Sequence, residues 1–68
     1  MSKEELQRLK ELYKAEYMSN VKEKIADAMV SYGNEAVPYL IECAGSEMMS
    51  QNKESLLEKI AKIKGAAK

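Results

Sequence analysis

Cys43 is the one side chain here whose type nominates it as a nucleophile. A thiol becomes reactive when a base or a cationic neighbour favours its thiolate, and this chain has no histidine. On a helix, Cys43 shares its face with Tyr39, Leu40 and Ala36, and apolar surroundings of that kind raise a thiol's pKa. The expectation is therefore a buried, inert cysteine. The carboxylates Glu4, Glu5, Glu11 and Glu16 are interleaved with lysines, the pattern of solvated i,i+4 surface pairs rather than of an acid/base couple. The three glycines stand far apart, so no phosphate-cradling loop can form. One cysteine and no histidine also remove disulfide frameworks and Cys/His zinc sites. The residues thus predict no catalytic, metal-binding or cofactor-binding side chain, no cofactor and no small-molecule substrate: the chain reads as a non-enzyme.

Nucleic-acid binding is the next chemistry to weigh. Eleven basic and eleven acidic residues cancel, so no global field draws the chain to polyanions. Two helices joined at Gly33 imitate a helix-turn-helix, but the second would read Glu35-Ala36-Val37-Pro38-Tyr39-Leu40-Ile41-Glu42. It has no Arg, Lys, Asn or Gln to reach base edges. Lys59, Lys62, Lys64 and Lys68 leave one alternative function open, a small helical domain that touches phosphates without sequence specificity through its lysine-rich C-terminal helix. No apolar run approaches the ~18 residues of a membrane span, and the N-terminus alternates charge where a signal peptide would not. With a lone thiol, the expected location is cytoplasmic.

The elements that position these groups are helices. Leu6, Leu9, Tyr13 and Tyr17 fall on one face of a first helix, with Lys10 and Lys14 outside it; Ser2 and Glu5 make a capping box at its start. A second helix opens at Ser19 or Asn20, buries Val21, Ile25, Ala28, Met29 and Tyr32, and ends at Gly33. A third runs from about Glu35 to Ala44 with Pro38 near its first turn, closed by Gly45. Ser50 or Asn52 caps a fourth that buries Leu56, Leu57, Ile60 and Ile63 and stops at Gly65, with a frayed tail after it. No segment alternates with period two. The fold class is all-α: four helices in one domain over residues 1–68.

Sliding the chain against itself by 31 positions pairs residues 4–23 with 35–54 at eight identities, among them Glu16 with Glu47, Met18 with Met49, Ser19 with Ser50 and Lys22 with Lys53. The matches include the loop, where helical periodicity imposes nothing. Two helix-loop-helix units follow, about 4–33 and 35–64. The stretch from Val21 to Ile41, above all Gly33-Asn34-Glu35-Ala36-Val37-Pro38-Tyr39-Leu40-Ile41, resembles a HEAT repeat of the short, phycobilisome-lyase-like kind. The second unit lacks a following Ala-Val-Pro helix. The resemblance implies a short α-solenoid fragment, with protein-protein interaction or scaffolding as the usual role. Some members of that family act on bilins, for which nothing else in this chain speaks.

Hairpins of a solenoid bury their apolar faces against neighbours, and about three are usually needed. This chain has two. Its third helix is apolar over roughly 200° of its circumference, so it must lie centrally or be covered by a second chain. Tyr39, Leu40, Cys43, Met48 and Met49 are accordingly the candidate interface, the methionines offering flexible, polarizable contact. Residues 34–52 carry three glutamates and no base, and residues 53–68 carry five lysines and two glutamates. Those halves could pair between copies. The expected function is a non-catalytic protein-protein interaction or scaffold module, homo-oligomeric or a small subunit of a larger assembly.

Overall fold

The computed structural model describes residues 2–66, which form four α-helices and no strand: α1 (Ser2–Ala15), α2 (Ser19–Val30), α3 (Val37–Ser46) and α4 (Ser50–Ala66), with a 3-10 turn over Gly33–Ala36. Gly33 makes the turn possible. Its φ of 69° lies in the left-handed region, which costs an L side chain energy that glycine does not pay. The chain then enters α3 through Ala36, with Pro38 in the first turn, where no intrahelical donor is lost.

The helices form two hairpins, α1–α2 and α3–α4, stacked side by side. Contacts between them advance in step: Lys10 meets Glu42 and Tyr13 meets Glu47, while on the other pair Ser19 meets Asn52 and Glu23 meets Ser55. Equivalent helices therefore run parallel. The 31-residue offset holds in the backbone around the two loops, since α1 ends at Ala15 and α3 at Ser46, and α2 begins at Ser19 and α4 at Ser50, whereas the outer ends of the helices, Ser2 against Val37 and Val30 against Ala66, do not keep it. Even the turn hydrogen bonds repeat. Lys22 N–H reaches Met18 C=O at 3.0 Å and Lys53 N–H reaches Met49 C=O at 3.0 Å.

α3 is the central helix, in contact with α1, α2 and α4, so the chain itself covers most of that wide apolar arc. Leu40 and Cys43 are fully buried, with Leu6, Met29 and Leu56 around them. The structure departs from the helix wheels at several positions. Tyr17 is 96% exposed because α1 stops at Ala15. On α2 the buried alanine is Ala26, not Ala28. Lys10 is buried instead of solvated, and Leu57 is 52% exposed. α3 does not close at Gly45, whose φ is not positive; the helix continues to Ser46, and α4 likewise passes through Gly65 to Ala66. The remainder of the expected tail, 67–68, lies outside the described residues.

Leu40→Ala opens a cavity at the junction of all the helices and is expected to cost about 3 kcal/mol. Leu57→Ala removes an exposed side chain and is expected to stay within about 0.5 kcal/mol in dilute solution. Urea unfolding of the two variants checks this; equal losses would contradict a central α3.

Candidate interaction surface

Both hairpin loops, 16–18 and 47–49, follow the first helix of their unit and so lie at the same end of the parallel stack. Each starts with a glutamate that folds its carboxylate back onto the next helix. Met18 N–H donates to Glu16 Oε2 at 3.2 Å; Met48 and Met49 N–H donate to Glu47 Oε1 at 3.1 and 3.3 Å. An anion there satisfies otherwise orphaned donors and complements the helix dipole. Ser19, Asn20, Ser50 and Asn52, expected as helix caps from their residue types, lie within α2 and α4, and α2 itself has Met18 at its N-cap with no side-chain cap.

Glu47 does more than its equivalent, because it faces the first hairpin. Its buried carboxylate accepts from Tyr13 Oη at 3.0 Å and from Lys22 Nζ at 3.1 Å, and the same ammonium lies 5.2 Å from the Tyr13 ring centroid. Burial alone would raise the Glu47 pKa; the bonds from Lys22 and Tyr13 overcome it and hold the carboxyl below its usual range. Burial and the same bond push the Tyr13 phenol well up, so it stays a neutral donor. Two further contacts link the units. Lys10 Nζ donates to Glu42 at 2.9 Å and lies 5.8 Å from the Tyr39 ring, its stem covered by the core. Lys59 pairs with Glu23 at 2.7 Å and Asp27 at 3.3 Å.

These contacts redirect the expected charge pairing. Two of the three glutamates in the acidic middle are taken up by the first hairpin, and Lys59 of the basic end by α2, so much of the complementarity is internal. Lys62 and Lys64 remain exposed.

The expected interface residues are divided by the structure. Leu40 and Cys43 lie in the core and present nothing to a partner; the reason is that α1 and α4 already cover their side of α3. Tyr39 is half-buried beneath Lys10. Met48 and Met49 are exposed, Met48 at 95%. Beside them stand Tyr17 and Met18, also exposed, which the wheel of α1 assigned to the core or left aside. The offset contained the signal, since Tyr17 pairs with Met48 and Met18 with Met49. The result is an apolar end surface, two residues from each loop. Among the described residues no group of three or more His, Cys, Asp or Glu is placed to hold a metal ion, and no helix is long and apolar enough to cross a membrane. Compared with known proteins, the chain matches no family model, no curated protein and no solved structure.

Two predictions follow from the buried groups. Glu47 has its pKa depressed on folding, so its contribution to stability is present above the unfolded value of about 4.3 and is lost as pH falls through the lower folded value. Glu47→Gln is therefore expected to cost about 2 kcal/mol at neutral pH and to flatten the acid limb of stability against pH, read by urea unfolding from neutral pH into the acid range. The Cys43 thiol is pushed up to about 11 by burial. It is expected to react with an alkylating reagent only as fast as the chain opens, whereas rapid native labelling would contradict its burial.

Proposed function

We propose that this chain is a non-catalytic protein-protein interaction module, acting as a homo-oligomer or as a small subunit on a larger protein, and built from two HEAT-like hairpins. The observation that carries the reading is the loop end: Tyr17, Met18, Met48 and Met49 are all exposed, in two loops at the same end of the stacked hairpins. A tyrosine beside flexible thioethers is a composition suited to contact with another protein surface, and holding such groups in water has no benefit to the fold. The buried, high-pKa thiol and the absence of histidine support a non-catalytic role.

The test is a paired substitution, Tyr17→Ser with Met48→Ser. Both side chains are solvent-exposed, so helicity and unfolding midpoint are expected to be unchanged. Binding to a protein that co-purifies with the wild-type chain is expected to fall at least about tenfold, as for loss of an aromatic anchor. Unchanged binding would remove the loop end as the docking surface.

A further inference from the structure

The 31-residue register sorts side chains by the direction they face. On α2, Ser19, Glu23 and Asp27 contact α4, and Ala26 lies buried on the same stripe. Their equivalents on α4 are Ser50, Glu54, Glu58 and Leu57, all exposed. This outer face has no hairpin to cover it. In the other direction, Cys43, Glu47 and Ser55 of the second hairpin look back at the first. Their equivalents, Leu12, Glu16 and Lys24, look out from the opposite end.

We propose that these two end faces bind each other between copies of the chain, the second hairpin of one copy stacking on the first hairpin of the next in the register that joins the two hairpins internally. This deepens the interaction-module reading by naming a second copy as the partner, and it places that contact on the end faces, away from the loop residues.

Charge complementarity argues for this occupant. Carrying the internal contacts forward one unit, the Lys22–Glu47 pair becomes Lys53 of one copy with Glu16 of the next. The Glu23–Ser55 contact becomes Glu54 with Lys24 of the next copy. The Lys53–Glu16 and Glu54–Lys24 juxtapositions are of opposite charge, while the Lys10–Glu42 and Lys59–Glu23 pairs carry forward to Ile41 with Glu11 and to Ala28 with Glu54 and are not repeated as ion pairs. Glu16 is also set in advance, because the Met18 N–H holds its carboxylate as the Met49 N–H holds that of Glu47.

The apolar residues agree. The internal joint buries Ala26, Lys10 and Cys43; the corresponding positions on the open faces are Leu57, Ile41 and Leu12, exposed at 52%, 53% and 57%. The end units of a repeat array normally turn a polar face outward. Here two of the positions on open faces carry an aliphatic side chain larger than the buried one they repeat, and the third replaces a lysine with isoleucine. The contact is heterologous, so it does not close on a dimer and adds copies in a row.

Sedimentation velocity on the full chain tests this with two blocked variants, Leu12→Glu and Leu57→Glu, checked for wild-type helicity. Wild-type protein is expected to give a series of species that lengthens with concentration. Each variant alone is expected to be monomeric, because every contact needs one face of each kind. Their equimolar mixture is expected to form a heterodimer and nothing larger. A wild-type chain that remains monomeric at the highest concentration reached, or a mixture that yields no heterodimer, would overturn the proposal. Glu54→Lys is expected to weaken the wild-type association roughly tenfold and Lys24→Glu in the same chain to restore it; no restoration would overturn the register. The Tyr17→Ser, Met48→Ser chain is expected to assemble like the wild type, so a failed loop-end reading and a failed stacking proposal give different results.

Discussion

The Glu47 carboxylate is the point on which both hairpins depend. It closes the turn into α4 through two backbone N–H groups, and it ties that turn to α1 through Tyr13 and to α2 through Lys22. A charge this buried is expensive to desolvate. The cost is offset because the lone pairs are occupied: one ammonium, one phenol and two amides. No buried side-chain polar atom among the described residues lacks a partner. The contact is also directional in a way that apolar packing is not, so it specifies the register in which a small core with few large side chains must assemble.

That register turns a limited chain into a defined object. Two units cannot bury both faces of either hairpin, and the physical result is visible in where the aliphatic residues lie. The joint between hairpins is filled by Leu40, Cys43, Ala26 and their neighbours. The faces pointing away from the joint keep Leu12, Ile41 and Leu57 in water. The loop end adds Tyr17 and the methionines. A chain of zero net charge has little long-range repulsion to keep such surfaces apart.

Much of the fold was legible in the sequence because helical periodicity and the 31-residue self-match are independent signals that agree. The left-handed turn at Gly33, the entry of Pro38 at the start of α3, and the burial of Leu6, Tyr13, Met29, Leu56, Ile60 and Ile63 all follow from residue type and spacing. What was not legible depended on neighbours in space. Lys10 looks solvated on its own helix and is buried because Glu42 and Tyr39 on α3 receive it. Glu16 and Glu47 look like surface carboxylates, yet loop geometry brings their oxygens onto backbone donors two residues on. Leu57 falls on an apolar arc, but the side of α4 it faces has no helix to cover it. The expected interface mixed two kinds of residue for the same reason. Apolar character alone does not separate Leu40, which the chain covers, from Met48, which it leaves in water.

The stacked, parallel arrangement of equivalent helices is the claim from which the two kinds of surface follow, and nuclear Overhauser contacts in dilute solution address it directly. The account predicts cross-peaks from the Lys10 side chain to the Tyr39 ring, from the Tyr13 ring to the Glu47 side chain, and between Ser19 and Asn52. An antiparallel or unregistered packing would contradict it by showing none of the three while keeping the helical contacts within each hairpin.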